Sequence, residues 1–293
     1  MIDTSTPDVA SALKWAREHI DSVDARILMR RVLDCAATRL VSHPDLRLDA
    51  AEWEQFRHFV TRRASGEPVA YLVGEREFFG YSLMITPAVL IPRPETELLV
   101  ELAVAHFAGR PNTRVLDLGT GSGAIAIALA KELPDADVTA VDRSREALLV
   151  AMANAARLRV SVSFVVSDWF AALAGDRFQL IVANPPYVAA TDPHLGEGDV
   201  RFEPQAALVS GPEGLDDLAE IVVRAPHHLD PGGWLFVEHG YDQARRVRAL
   251  LADAGFTAIA SWNDLAGIER VSGGQWLGRG ASGRRLDAPQ RDT

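Results

Sequence analysis

The chain has a single cysteine, Cys35, so no disulfide can close within it and a reducing compartment is the natural setting. Its eight histidines are scattered, with one adjacent pair, His227 and His228. No Cys/His cluster has metal-ligand spacing, so no metal is expected. Long apolar runs are missing too: the densest, Ala124 to Ala130, is far too short to span a membrane. The opening Met1-Ile2-Asp3-Thr4-Ser5 lacks the cationic start of a signal peptide. These absences lead us to expect a cytoplasmic chain with no membrane attachment. Net positive charge is also absent, since 30 Lys and Arg face 40 Asp and Glu, leaving −10. An acidic surface repels phosphate at long range, so binding naked nucleic acid would require a local basic patch. No direct nucleic-acid substrate is expected, and a positively charged protein partner fits more easily.

What is present is enough apolar material, 48%, for one sizeable core and a smaller one. Residues from about 8 to 64 carry apolar side chains at helical spacing, as in Ile27, Leu28, Val32 and Leu33, with His43-Pro44-Asp45 as a turn. Gly66-Glu67-Pro68 breaks the helices, and Phe78 to Ile85, aromatic and aliphatic around Gly80, suggests a short hairpin. From about 95 onward strands and helices alternate. Strands are expected at Arg114–Leu118, Asp137–Val141, Ser163–Val166, Phe178–Ala183, Trp234–Val237, Thr257–Trp262 and Ile268–Trp276. An alanine-rich helix follows the first strand. Others are expected after Ser144 through Ala155, at Asp216–Val223 and at Tyr241–Ala254, and Pro231-Gly232-Gly233 reads as a turn. The fold class is therefore α/β, a mostly parallel sheet covered on both faces, preceded by a small helical domain. The expected division is a helical domain at 1–65, a linker with a hairpin at 66–94, a catalytic domain at 95–282 and a disordered tail at 283–293. No internal repeat is apparent.

The first strand runs into Gly119-Thr120-Gly121-Ser122-Gly123-Ala124. Glycines let the backbone turn sharply and approach a ligand, and the following helix presents free N–H groups. Alone the segment is ambiguous, because Gly119, Gly121 and Ala124 also satisfy a dinucleotide fingerprint. Asp142, ending the second strand, suits either nucleotide, since a carboxylate there can accept from both hydroxyls of an adenosine ribose. Asp168 and Trp169, after the third strand, could read an adenine amine and cover its face.

The fourth strand discriminates. It leads into Asn184-Pro185-Pro186-Tyr187, at the carboxyl end of the sheet, where open α/β folds place reactive groups. The prolines stiffen the backbone and donate no N–H. The Asn184 amide oxygen and the Pro185 carbonyl can then accept from one substrate NH2, with Tyr187 against the flat group. Such a grip suits methyl transfer from the sulfonium of S-adenosylmethionine to a planar nitrogen, and a pyridine-nucleotide dehydrogenase does not account for it. Asn184, Pro185 and Tyr187 are the expected catalytic residues and Asn184 to Tyr187 the substrate grip.

The chain resembles the bacterial release-factor glutamine methyltransferase family (PrmC or HemK type) over nearly its whole length. The resemblance rests on Glu67 to Leu72, Glu77-Phe78-Phe79-Gly80, Ile91-Pro92-Arg93-Pro94-Glu95-Thr96-Glu97, Asp117 to Gly123, Asp168-Trp169-Phe170, Asn184 to Tyr187, Phe202-Glu203-Pro204, Glu213-Gly214-Leu215 and Asp264-Leu265-Ala266-Gly267. It implies a Rossmann-like methyltransferase sheet with its last strand antiparallel. It also implies S-adenosylmethionine as methyl donor, held by Gly119, Thr120, Gly121, Ser122, Gly123, Asp142, Asp168, Trp169 and Asn184. The implied substrate is the glutamine of the Gly-Gly-Gln loop of class I release factors, with the N-terminal helices helping to dock the partner. A monomer is expected.

Three segments keep two readings each. Residues 92–97 are a helix start or a lid over the cofactor. Glu203 and Glu238 line the cavity or are solvated. Gly273-Gly274-Gln275 copies the substrate tripeptide, which a hairpin turn would explain. Competing functions are a methyltransferase acting on nucleic-acid amines, which would want a basic groove and stacking aromatics, and a non-catalytic scaffold, which would not require the Asn184 corner.

Overall fold

The computed structural model describes residues 6–278; the expected tail at 283–293 lies outside them. Contacts divide the chain into two compact units. One takes the residues up to Arg76 with Met84–Ile91 and Pro193–Pro204, and the other takes Glu77–Leu83, Pro92–Asp192 and the residues from Gln205 on. The division thus departs from chain order, since Pro193–Pro204, from the C-terminal half of the chain, packs with the helices.

The first unit contains α1 (Val9–Ala16), α2 (Ser22–Leu33), α3 (Ala37–Ser42), α4 (Ala50–Ala64) and the short α5 (Val69–Val73). Asp8 and Asp21 cap the first two helices through their side chains, and Asp49 with Glu52 forms a reciprocal capping box on α4. The apolar faces meet around Leu28, Met29 and Phe56, with Trp15 edge-on to Trp53 at 5.1 Å. Arg63 ties in the distant segment, bonding Asp24 at 2.6 Å and Asp199 at 2.7 Å. Glu203 is buried and accepts the Ile91 N–H at 2.9 Å.

A hairpin of β1 (Glu75–Phe78) and β2 (Tyr81–Met84) follows, starting three residues earlier than the sequence suggests. In the second unit come α6 (Glu97–Phe107), β3 (Arg114–Leu118), α7 (Ala124–Glu132), β4 (Asp137–Asp142), α8 (Arg145–Leu158), β5 (Ser163–Val166), β6 (Phe178–Ala183), α9 (Asp216–Arg224), β7 (Leu229–Glu238), α10 (Ala244–Asp253), β8 (Thr257–Asn263) and β9 (Glu269–Trp276). The seven strands lie in the order β5-β4-β3-β6-β7-β9-β8. Pairing is parallel from β5 through β7, and β9 runs antiparallel to both of its neighbours. Central β3 and β6 are almost wholly buried and, apart from Arg114, Asp117 and Gln179, apolar, as a sheet covered on both faces requires. The chain winds outward from β3 through β4 to β5, then returns to β6 beside β3. That reversal opens a crevice at the carboxyl ends of β3 and β6.

Three local expectations need correction. Pro231-Gly232-Gly233 is no turn between elements; it lies inside β7, where the register against β6 jumps between Phe178 and Leu180 and a bulge absorbs the extra residues. The last helix starts at Ala244, three residues after the expected Tyr241. Gly273 and Gly274 are not a hairpin turn but the middle of β9, paired with Phe236 and Leu235 of β7. Gln275 donates to the Gly232 carbonyl at 2.9 Å, at the end of β7 opposite Glu238.

Steric crowding is why glycine stands at 273. A Cβ there would come 2.4 Å from Phe236 Cδ1 and 2.6 Å from the Leu235 carbonyl oxygen. We expect Gly273→Ala to cost about 1–3 kcal/mol through forced displacement of the strand, lowering the thermal midpoint by several degrees in a calorimetric scan. An unchanged midpoint would mean that β7 and β9 are not packed as described.

Candidate active site

The glycine turn begins where β3 ends. Gly119, Gly121 and Gly123 all have positive φ, 71°, 54° and 83°, a region costly for other residues. The N–H groups of Gly119 and Thr120 both donate to the Val141 carbonyl at 2.9 Å, which folds the turn back over β4. The three glycines have different surroundings. A Cβ on Gly121 would meet open space, whereas one on Gly119 would come 3.2 Å from the Trp169 ring and one on Gly123 3.1 Å from Ala151 of α8. Gly121 is therefore the open rim of the turn, and Gly123 allows close helix packing.

Thr120 and Ser122 are buried. The Thr120 hydroxyl donates to Asp117 Oδ2 at 2.6 Å, and the same oxygen accepts the Ala126 N–H at 3.2 Å. Gly123, at the N-terminus of α7, has no side chain with which to cap it, and Asp117 supplies an acceptor from the preceding strand. Asn154, fully buried on α8, donates to the Ser122 carbonyl at 2.9 Å. Nothing in the local sequence marks Asp117 and Asn154 for these roles; the first looks like an ordinary strand residue and the second like a helix residue.

Asp142 ends β4 and bridges the turn, accepting from Gly121 N at 2.9 Å and Ser144 N at 2.8 Å, one bond per oxygen. Each carboxylate oxygen keeps a second acceptor site. Trp169 has φ 45°, and its indole N–H donates to Asp217 at 3.2 Å while the ring packs against Gly119. Asp168 is exposed beside it. An open glycine rim, a carboxylate with spare acceptor capacity and an anchored indole fit the adenosyl and ribose parts of S-adenosylmethionine.

The second half of the site lies on the next strand. Leu118 of β3 is opposite Ala183 of β6, and Ala183 is opposite Val237 of β7. Gly119, Asn184 and Glu238 therefore leave the sheet side by side on successive strands, at roughly 5 Å intervals. Pro185 and Pro186 are buried, and Asn184 and Tyr187 are partly exposed. The Asn184 side-chain N–H donates to the Thr96 hydroxyl at 3.1 Å, and the Tyr187 hydroxyl donates to Glu238 Oε1 at 3.2 Å. Behind the corner, Gln243 donates to the carbonyls of Tyr187 at 3.0 Å and Gly214 at 3.1 Å. Gly214 sits so close that a Cβ would lie 2.2 Å from the Tyr187 oxygen.

Residues 92–97 contain a helix start. Pro94–Thr96 form a 3-10 turn that runs into α6, and Glu97 accepts the Phe79 N–H at 2.8 Å, holding the hairpin turn. Thr96 is buried against Asn184, a neighbour that sequence reading does not supply. Glu238 is buried, not solvated. Burial pushes its carboxyl up to about 7 against hydrogen bonds from Thr96 and Tyr187 and the nearby charge of Arg270, with Glu95 raising it further. Burial, and then Glu238, raise the Tyr187 phenol. Among the described residues no group of His, Cys, Asp and Glu is arranged to hold a metal ion, and no helix is long and apolar enough to cross a membrane.

Two family descriptions match this chain: "Methyltransferase small domain" over residues 95–198 and "PrmC N-terminal domain" over residues 8–74. Among curated proteins, the release factor glutamine methyltransferase of Burkholderia pseudomallei is 50% identical over 285 residues, covering 94% of this chain and 100% of that one. The proteins of the same name from Xylella fastidiosa and Pseudomonas aeruginosa are 49% and 48% identical, covering 93% and 94% of this chain and 99% and 96% of their own. Of solved structures, a Thermus thermophilus 16S rRNA N2 G1207 methyltransferase aligns with a TM-score of 0.52 at 23% identity, over 69% of this chain and 49% of that one. A methyltransferase from Pyrococcus furiosus aligns at 0.51 and 18%, over 74% and 97%. At these identities the two structures speak to the fold alone.

Asp117 provides a pH test of the turn. Burial pushes its carboxyl up from 3.8 to about 7, Asp142 adds to the rise, and the bonds from Thr120 and Ala126 oppose it. The folded state thus holds this proton longer than the unfolded chain, so ionisation removes stability as pH rises from about 4 to about 7. Asp117→Asn cannot ionise. Its stability relative to the parent should climb by roughly 1–3 kcal/mol between pH 5 and pH 8, at about 1.4 kcal/mol per unit, in urea unfolding. A gap that stays constant over that range would contradict the assignment.

Proposed function

The chain belongs to the release factor glutamine methyltransferase family, and from that premise we propose that it methylates the side-chain amide nitrogen of the glutamine in the Gly-Gly-Gln motif of class I peptide chain release factors. The chain is an S-adenosylmethionine-dependent methyltransferase. The observation that carries the substrate reading is the side-by-side exit of Gly119 and Asn184 from neighbouring strands. That register supports reading the Asn184 corner as a grip for a flat NH2 group beside a cradle for the methyl donor.

The sulfonium cofactor, when bound, supplies a methyl group activated for transfer. The backbone of Gly119 to Gly123 would receive its polar end, with Thr120 and Ser122 buried in the turn and the Thr120 hydroxyl bonded to Asp117. Asp142 would take the ribose hydroxyls, and Trp169 and Asp168 would hold the adenine. Asn184 Oδ1 and the Pro185 carbonyl accept the two N–H bonds of the glutamine amide, Pro186 keeps the corner rigid, and Tyr187 lies along the amide plane.

An amide nitrogen is a weak nucleophile because its lone pair is shared with the carbonyl. Alignment does most of the work, and holding reactants in line is worth on the order of 7–11 kcal/mol. Acceptors on both N–H groups also stabilise the positive charge that grows on nitrogen as the carbon–nitrogen bond forms and the carbon–sulfur bond breaks. The nitrogen then loses one proton to water, leaving a neutral N-methyl amide. The N-terminal helices help to dock the release factor, and residues from 95 onward carry the chemistry.

Incubation with labelled S-adenosylmethionine, a class I release factor and total RNA tests this directly. Label should appear on the release factor, at the glutamine of Gly-Gly-Gln by peptide mass spectrometry; label on RNA alone would overturn the reading. In the same assay Asn184→Ala should abolish transfer while cofactor affinity, by calorimetry, falls less than tenfold. Asp142→Ala should behave conversely, weakening the cofactor by roughly 10–100-fold through loss of charge-assisted bonds worth about 1.5–3 kcal/mol. Full affinity in that variant would remove Asp142 from the ribose.

A further inference from the structure

A primary carboxamide has an acceptor end and a donor end of nearly the same shape. Only the oxygen of Asn184 can take an N–H from a substrate amide; a half-turn about its last bond would aim two hydrogens at the substrate instead. A grip of this kind therefore needs something to decide which end faces inward. The backbone of the corner does not decide it.

We propose that Thr96 and Glu238 are positioning residues that set the Asn184 carboxamide with its oxygen toward the substrate. This rests on the reading of Asn184 as the substrate grip. Asn184 Nδ2 lies 3.1 Å from Thr96 Oγ1. Thr96 belongs to the Pro94–Thr96 turn, and its side chain is buried there. A hydroxyl is ambivalent, since it can donate or accept. To accept from Asn184, it must send its own proton elsewhere.

Glu238, at the end of the adjoining strand, is where that proton goes. It is 1% exposed, and the Thr96 hydroxyl hydrogen-bonds to it. The Tyr187 hydroxyl donates to the same carboxylate at 3.2 Å. An ionised carboxylate is acceptor-only, so the direction of every bond follows from its charge. Tyr187 and Thr96 donate to Glu238, Thr96 then accepts from Asn184 Nδ2, and Asn184 Oδ1 is left for the substrate. Protonated Glu238 can donate to Thr96, and the hydroxyl is then free to donate to Asn184, which favours the reversed carboxamide.

The charged and titratable groups facing this pair are Tyr187, Arg270 on β9, Glu95 on the preceding turn and, beside Tyr187, Arg93. Arg270 favours the charged carboxylate and Glu95 opposes it. The Oε2 atom of Glu238 is buried and has no hydrogen-bond partner among the described residues. It is a costly place to keep a carboxylate, which is reasonable if the acceptor-only character is what the site requires.

Three variants separate the relay from mere packing. Thr96→Val keeps the shape but removes the hydroxyl; kcat on a release factor should fall at least tenfold with cofactor Kd changed less than twofold. Thr96→Ser restores the hydroxyl and should recover kcat to within about threefold of the parent. In Glu238→Gln, any fall of kcat that the parent shows below about pH 7 should vanish, because the amide does not ionise. Wild-type kcat in Thr96→Val, or a pH step that persists in Glu238→Gln, overturns the proposal.

A measurement without substrate makes the two readings separable. In 15N-labelled protein the Asn184 side-chain NH2, assigned by its disappearance in Asn184→Asp, should exchange with solvent at least tenfold more slowly than in Thr96→Val. Equal exchange rates overturn the relay whatever the assay shows. A parent chain that methylates no release factor, yet protects this NH2, sinks the substrate reading and leaves the relay standing.

Discussion

The register between two parallel strands governs the rest of the site. With Leu118 opposite Ala183, the glycine turn after one strand and the Asn-Pro-Pro-Tyr corner after the other emerge at the same height. A shift of one residue would rotate every side chain of β6 to the other face of the sheet and withdraw the corner from the turn. The register is protected by burial, since both strands lie in the centre of a covered sheet and neither can slide without exposing apolar side chains.

Around that juxtaposition, acceptors and donors are matched with unusual thoroughness. Asp117 caps the helix that its own strand leads into, Asn154 holds the turn from behind, and Gln243 pins the far side of the corner. Among the described residues, two carboxyl groups nevertheless keep one buried oxygen each without a protein partner, Asp117 Oδ1 and Glu238 Oε2. Desolvation raises both toward neutrality. Perturbed carboxyls of this kind gather at working sites because burial strengthens electrostatic control there. One orders the glycine turn after β3, and the other sits behind the Asn184 corner.

The helical unit follows a different logic. Its caps and aromatic core make it stable on local terms, and Arg63 recruits Pro193–Pro204, a segment more than a hundred residues away, through Asp199. The piece of chain just beyond the corner is thereby anchored among helices.

Much of this was legible in the residues. Helical spacing and short apolar runs bounded by turn residues located nearly all the elements, because burial imprints itself on consecutive positions. The glycine turn and the proline corner were legible as well, since positive φ and a fixed φ are properties of single residues and need no partner. Errors came where tertiary packing overrode local chemistry. Gly273 and Gly274 look like a turn but make room for Phe236 and Phe256 inside a strand, and Pro231 to Gly233 look like a boundary but form a bulge. What only the folded chain decided is which polar groups meet. Thr96 and Asn184 are 88 positions apart, and Tyr187 and Glu238 are 51 apart. Local sterics act between neighbours in sequence, whereas the direction of a buried hydrogen bond depends on neighbours in space, which appear only once the strands have been set side by side.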